Sequence, residues 1–243
     1  LKYYLWSIIR GLNGQSKIIC ASLATEKKIT ALLKPKFIQT IYQSAPQLDE
    51  IAVAEPYEKL ANQPYFLHVG VLEKRKNLGV LIKAFALFLK SFPDYKLALV
   101  GQRGPAKDLD DCGNLQTLVR QLELQAHVFF PGYASGNQLK WFYENASAYT
   151  FPSIEEGFGI PVLEAFSYGL PVIVSENEAI NEIAGAGGLS AQSLDPHAWS
   201  LAMEKLINSP DFRNELTKNG KLRLKAFSKT AFLDGIENYI AKN

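Results

Sequence analysis

FPSIEEGFGIPVLEAFSYGLPVIVS, residues 151–175, reads as the end of one strand, a loop, a helix, a turn and a second strand. Tyr149-Thr150-Phe151, aromatic and β-branched, run into a loop that carries Glu155, Glu156, Gly157 and Gly159. Pro161 fits the first helical position, where a missing N–H costs nothing. Gly169 suits the residue just past the helix, Pro171 prevents continuation, and the β-branched run Val172-Ile173-Val174 reads as a buried strand. This layout predicts unpaired N–H groups on Val162 and Leu163 and places Glu164 in the first helical turn. Open amides and the helix dipole both favour an anion there, and the glycines allow close backbone approach. A carboxylate beside that anion would repel phosphate, so Glu164 is better used accepting hydrogen bonds from sugar hydroxyls. A loop suited to both a phosphate and a diol points to a nucleotide sugar.

On either side of this stretch, strands alternate with amphipathic helices. Strands are expected at 17–22, 37–42, 65–69, 97–100 and 128–130, and helices at 25–33, 78–92, 115–124, 135–146, 196–208, 210–226 and 229–241. A short helix and a turn at 185–188 follow Ser175. Asn77 is the expected N-cap of the helix carrying Leu78, Leu81, Ile82, Phe85, Phe88 and Phe92, and Pro93 its stop. Such alternation means a doubly wound α/β parallel sheet, Rossmann-like, with both faces covered. The strand–helix–strand unit within residues 1–45 is too small to close a sheet alone and reads as the remnant of a preceding domain. Residues 1–12 suit a helix packed on other structure. Residues 46–63 read as a linker, 64–227 as the main domain, and 228–243 as a terminal helix.

Ligands of such sheets bind beyond the carboxyl ends of the strands. Lys74, Arg75 and Lys76 follow the strand at 65–69 just ahead of a helix start, where the dipole alone disfavours cations. An added anion, most naturally a diphosphate, resolves the conflict. Gly132 and Tyr133 follow the 128–130 strand and could present backbone groups to a base. The loop at Gly101-Gln102-Arg103-Gly104 reads mostly as a turn. Glu156 and Glu164 stand eight apart, one in the loop and one on the helix.

Other chemistries are poorly served. His68, His127 and His197 have no metal-ligand spacing. GxSxG and GxxxxGK[ST] are absent, and Val162 stands where GxGxxG needs its third glycine. A net charge of +2 without a basic stripe argues against nucleic acid. Cys20 and Cys112, far apart, read as free thiols of a reducing compartment. No apolar run reaches transmembrane length.

Three blocks carry a resemblance to a known family. PSIEEGFGIPVLEAFSYGLPVI at 152–173 resembles the signature of the family 4 retaining glycosyltransferases, HVGVLEKRKNLGVLIKAF at 68–85 their first donor-domain strand and phosphate loop, and VFFPGYASGNQLKWFYENASAYTFPS at 128–153 the segment between. The likeness covers about residues 64–227. KIICASLATEKKI and IQTIYQSA are similar to the last stretch of the family's acceptor-side domain, and the final helix to the one that crosses back to it. The resemblance implies a GT-B fold, of which this chain holds chiefly the C-terminal half.

It also implies roles. Glu164 would hold the donor ribose; Glu156, Gly157, Phe158 and Gly159 would line the transferred sugar; Arg75 and Lys76, with the Val162 and Leu163 amides, would hold the diphosphate. The family requires no metal ion and no cofactor, the cationic clamp serving instead, and the departing phosphate helps to deprotonate the acceptor. A nucleotide sugar, GDP- or UDP-linked, would be the donor, and a glycan or lipid-linked acceptor its partner. The setting would be cytoplasmic, with peripheral contact at the inner membrane surface. This chain departs from the family at Val71, where Arg or Thr is common, in SENEAINE after Ser175, and in having no counterpart of the acceptor-side histidine. Three readings therefore stand: a transferase, a donor-binding module needing a separate N-terminal polypeptide, and an epimerase or phosphorylase of the same architecture.

Overall fold

The computed structural model describes residues 17–45, 53–134 and 136–241. The helix expected at 1–12 and the linker residues 46–52 lie outside the described residues. Six strands form one parallel sheet: β3 (Tyr65–Val69), β4 (Lys96–Val100), β5 (Val128–Gly132), β6 (Ala148–Phe151), β7 (Val172–Ser175) and β8 (Gly188–Ala191). Their lateral order is β5-β4-β3-β6-β7-β8. The chain thus winds outward from β3 in one direction and from β6 in the other, which puts the topological switch point between β3 and β6. A separate parallel pair, β1 (Lys17–Cys20) and β2 (Phe37–Thr40), flanks α1 (Leu23–Leu32).

Both faces of the sheet are buried, and the side chains alternate between them with the period of the pleat. Phe66, Leu97, Leu99 and Ile173 face one cluster, covered by α2 (Leu78–Phe88), α3 (Cys112–Gln121) and α7 (Pro196–Asn208). Tyr65, Leu67, Ala98, Val100, Val172 and Val174 face the other, covered by α4 (Gly136–Asn145), α5 (Ile160–Ser167) and α6 (Glu178–Ala184). Burying each large side chain contributes about 1.5–3 kcal/mol, so the two clusters hold the strand ends in fixed relation. After α8 (Pro210–Arg223), α9 (Lys229–Ala241) returns to the β1–β2 unit. There Tyr239 meets Phe37 at 5.5 Å between ring centroids, and Gly235 leaves room for Ile41.

Several boundaries differ from the sequence reading, each for a local reason. β8 occupies the end of the glycine-rich run expected to be a turn; as the edge strand it needs no apolar alternation. β5 continues through Pro131, which an edge strand tolerates. α2 ends at Phe88, five residues before Pro93, where the bonding tightens, Lys90 donating to the Leu87 carbonyl and Ser91 to that of Phe88, and Phe92 stacks on Phe88 at 4.6 Å. Asn77 does not cap α2: it is left-handed (φ 53°), and its side chain is spent on the Ser193 and Pro152 carbonyls.

α5 begins at Ile160, so Pro161 is its second residue and Glu164 lies beyond the first turn. Its C-terminus closes as read. Gly169 (φ 71°) donates to the Phe166 carbonyl and Leu170 to that of Ala165, a Schellman pair.

Candidate functional site

At the switch point two loops meet, 70–77 after β3 and 152–159 after β6. They are bonded through the main chain, Ile154 N–H to the Arg75 carbonyl at 3.0 Å, and through the Asn77 side chain. Lys74–Lys76 forms a short 3-10 turn that aims successive side chains differently. Lys74 is exposed. Lys76 is buried, its ammonium 2.5 Å from Oε1 of Glu156 and 4.9 Å from the centre of the Phe151 ring. Arg75 reaches the same Oε1 at 2.8 Å, donates through Nε to Glu73 at 2.8 Å and touches the Glu155 carbonyl at 3.2 Å. Three of the expected site residues, Arg75, Lys76 and Glu156, therefore form one charge cluster.

The start of α5 abuts the same Phe151 ring: a Cβ on Gly159 (φ 111°) would lie 3.5 Å from it. The Val162 amide is not open as the sequence implied. The left-handed Gly159 turns its own carbonyl back to accept from Val162 at 3.0 Å. The Val162 and Leu163 side chains are fully buried. Phe158 is also a core residue, its ring among Tyr42 and Phe227, so its side chain does not line the cleft. Gly157 is exposed, and its carbonyl accepts from Ser22 at 2.8 Å and Thr25 at 3.2 Å, both at the start of α1. Glu182 fastens that helix from below, taking the Leu23 and Ala24 amides at 2.8 and 2.9 Å and the Tyr42 hydroxyl at 2.8 Å.

Glu164 is half-buried and accepts from the Tyr143 hydroxyl at 2.7 Å. Burial pushes its carboxyl above the usual carboxylate range, and the Tyr143 hydrogen bond opposes the shift. The Tyr143 phenol is raised well above its ordinary value, first by burial. Tyr149, between them and the sheet edge, donates to the Val69 carbonyl at 3.2 Å. Val69 in turn lines a cleft of about 350 Å3 shared with Gly70, Gly101, Gln102, Tyr133 and Leu139.

The floor of that cleft is a row of strand-end glycines: Gly70 donates to the Val100 carbonyl and Gly101 to that of Gly132. Side chains are excluded here, since a Cβ on Gly101 would sit 1.8 Å from the Gly70 carbonyl oxygen. Tyr133 stands 72% exposed at the rim. The Gly101–Gly104 segment, expected to be mostly a turn, instead runs beside the loop after β3, with Arg103 bridged to Leu72 and its side chain paired to Asp110.

Four participants escaped the sequence reading. Glu73 anchors Arg75 from two positions away, and a carboxylate directly ahead of a run of three cations was the available signal. Tyr143 reaches Glu164 across 21 residues, for which no local pattern exists. Ser22 and Thr25 act across the two structural units. His68, read as structural, lies beneath the clamp: its Nδ1 donates to the Thr150 carbonyl at 3.0 Å, and its buried Nε2 has no protein partner among the described residues. Burial first, then the nearby Lys76 ammonium, lower its pKa to about 3 against the pull of the Thr150 carbonyl. The free thiols Cys20 and Cys112 are both buried. Among the described residues no helix is long and apolar enough to cross a membrane, and no three His, Cys, Asp or Glu side chains gather as metal ligands do.

Fold and site together define a Rossmann-like α/β unit that brings the Arg75–Lys76–Glu156 charge cluster and the half-buried carboxylate of Glu164 to its switch point. Residues 51–223 match the family described as glycosyl transferases group 1, and the chain belongs to that family. It is similar to O-antigen chain mannosyltransferase B of Escherichia coli, at 33% identity over 73% of this chain and 45% of that protein. It is also similar to the capsular polysaccharide biosynthesis glycosyltransferase CapM of Staphylococcus aureus, at 30% identity over 91% of this chain and 57% of that one. The chain thus spans about half the length of the curated relatives it matches.

Among solved structures, Anabaena HepE in complex with UDP and glucose aligns with a TM-score of 0.87 at 18% identity over 100% of this chain and 68% of that one. Sucrose-phosphate synthase from Thermosynechococcus elongatus aligns at 0.81 and 24% identity, over 99% of this chain and 62% of that one. These likenesses establish the fold, a GT-B architecture of which the six-stranded unit is one half.

Proposed function

We propose that this chain binds a nucleoside-diphosphate sugar and is the donor side of a retaining glycosyltransferase. The observation that carries the reading is the meeting of Arg75, Lys76 and Glu156 beside the start of α5, with Glu164 farther along the same edge. The base enters the cleft beside Tyr133, the ribose diol donates to Glu164, and the diphosphate lies against Arg75 and Lys76. In the reaction the bond between the anomeric carbon and the diphosphate oxygen breaks, and its electron pair stays with the diphosphate. Two fixed cations then stabilise the developing charge, a form of electrostatic preorganisation. No metal is required in this scheme.

The acceptor hydroxyl oxygen bonds to the anomeric carbon on the same face, and its proton passes to the departing phosphate, so configuration is retained. Glu156 lines the transferred sugar. Because the chain covers about half of its relatives, donor binding is proposed for the chain itself. Transfer is proposed for the protein with its acceptor side supplied, either in the same polypeptide or as a separate one. A mannose donor is supported by the name of the E. coli relative, and a uridine-linked one by the ligands of HepE.

Calorimetry of this chain against UDP-, GDP- and ADP-sugars, with and without EDTA, tests the proposal. The expected result is EDTA-insensitive binding of one base class, far tighter for the diphosphate than for the free nucleoside. Equal affinity for nucleoside and diphosphate would refute it.

A further inference from the structure

The clamp that should take the diphosphate already holds an anion. A single oxygen, Oε1 of Glu156, accepts from Lys76 at 2.5 Å and from Arg75 at 2.8 Å, and its side chain is only 13% exposed. With Glu73 on Arg75, two cations are matched by two carboxylates, so the cluster as it stands has no net charge with which to draw in a diphosphate. We propose that Glu156 is an internal stand-in for the donor diphosphate: it occupies the clamp while the site is empty, yields it to phosphate oxygens on binding, and returns to help expel the nucleoside diphosphate after transfer. This inference rests on the reading that Arg75 and Lys76 hold the diphosphate.

The two cations are anchored unequally, in the way such an exchange needs. Arg75 keeps Glu73, itself 8% exposed, on its Nε, so its guanidinium stays aimed when Glu156 departs. The Lys76 ammonium, 4.9 Å from the centre of the Phe151 ring, has three donors that can turn from carboxylate to phosphate. Glu156 lies in the loop between β6 and α5, beside the exposed Gly157 and ahead of the left-handed Gly159, so its side chain can turn without disturbing either element.

Ser22 and Thr25 pin the Gly157 carbonyl, which limits the excursion. The released carboxylate therefore stays where the transferred sugar arrives and accepts from its hydroxyls. Departure of the nucleoside diphosphate would leave Lys76, almost wholly buried, without a counter-anion. Return of Glu156 restores one, and this favours product release.

The test is calorimetry of the whole chain with the nucleoside diphosphate alone, with no sugar for Glu156 to touch. Glu156→Gln preserves size while removing the competing charge, and the expected result is about tenfold tighter binding, the equivalent of about 1.4 kcal/mol. Affinity for the free nucleoside should not move. In a Lys76→Met background the gain from Glu156→Gln should shrink, since the contested cation is gone. Wild-type-like or weaker diphosphate binding by Glu156→Gln, with the wild type binding normally, overturns the exchange and makes Glu156 a support for the cations. Failure of the wild type to bind any nucleoside diphosphate overturns the donor-site reading and this inference with it.

Discussion

Replacing Glu164 by Gln should weaken nucleotide binding and stabilise the empty protein at the same time. The substitution keeps the side chain's shape and its ability to accept from Tyr143, and removes only the charge. In the folded chain the Glu164 carboxyl is raised, chiefly by burial, so the native state holds its proton more tightly than the unfolded chain does. A raised acid contributes stability below its unfolded pKa and loses it as pH rises through the folded value. At neutral pH the carboxylate is therefore a cost, which Gln does not carry. The melting temperature of Glu164→Gln should exceed that of the wild type at pH 7, and the difference should close as pH falls into the ordinary carboxylate range.

Binding should move the other way. Two ribose hydroxyls donating to a carboxylate make charge-assisted bonds, each stronger than a neutral one by about 1–1.5 kcal/mol. The loss is then about 2–3 kcal/mol, or roughly 30- to 150-fold in Kd. Titration with the nucleoside diphosphate and its 2′-deoxy analogue measures it, and the deoxy compound should discriminate far less between the two proteins. Unchanged affinity for the ribonucleotide in Glu164→Gln would refute the assignment. So would equal losses for both nucleotides.

Lys76→Ala removes the more deeply buried half of the clamp, and should cost a nucleoside diphosphate about 1.5–3 kcal/mol of binding while leaving the free nucleoside unaffected; parallel titrations, with circular dichroism to confirm folding, decide it. His68 has its pKa lowered to about 3, so from about pH 6.5 downward the unfolded chain takes up a proton that the native one refuses, and stability falls by about 1.4 kcal/mol per pH unit. Urea midpoints of His68→Gln against pH should be flatter than wild type between pH 6 and 4, and parallel curves would count against a neutral buried imidazole. Gly101→Ala places a methyl 1.8 Å from the Gly70 carbonyl, with φ at +150°, so the ends of β3 and β4 must separate. A loss of at least about 2 kcal/mol in urea denaturation is expected, together with loss of nucleotide binding.

The sequence revealed those parts of the site that depend on local pattern. Apolar runs ending in glycine at Val69-Gly70 and Val100-Gly101 marked strand ends, and alternating strands and helices forced those ends onto one edge. Parallel topology puts the loops of Arg75, Lys76 and Glu156 on one edge, while their ion pairing depends on β3 lying beside β6, a strand order no local pattern states. What stayed hidden depends on side-chain direction. Asn77 looks like a cap, yet a left-handed backbone turns its amide towards Ser193 and Pro152. Val162 looks like an open amide, yet the φ of Gly159 brings a carbonyl back to it. Phe158 looks like part of a binding loop, but the apolar space between Tyr42 and Phe227 takes its ring. Tyr143 supports Glu164 only because its hydroxyl crosses from α4 to α5, a relation no spacing within either helix encodes.

The two carboxylates also favour one orientation of the proposed donor. Glu156 is matched by two cations, so an incoming phosphate that displaces it still meets compensating charge. Glu164 has a phenol and no cation among its described partners, so a phosphate there would meet an uncompensated negative group; hydroxyl donors would not. In the proposed donor complex the diphosphate end then falls to Arg75 and Lys76, and the ribose to the α5 side. Since Tyr149 and Val69 connect Glu164 to the cleft beside Tyr133, the base has space in that direction only along this edge. The transferred sugar is left at the opposite end, beside the Gly157 carbonyl that Ser22 and Thr25 hold. In that proposed arrangement an acceptor would approach past the start of α1. A sugar analogue seen in a cocrystal next to Tyr133, with its base at Gly157, would reverse this polarity and undo the argument from charge.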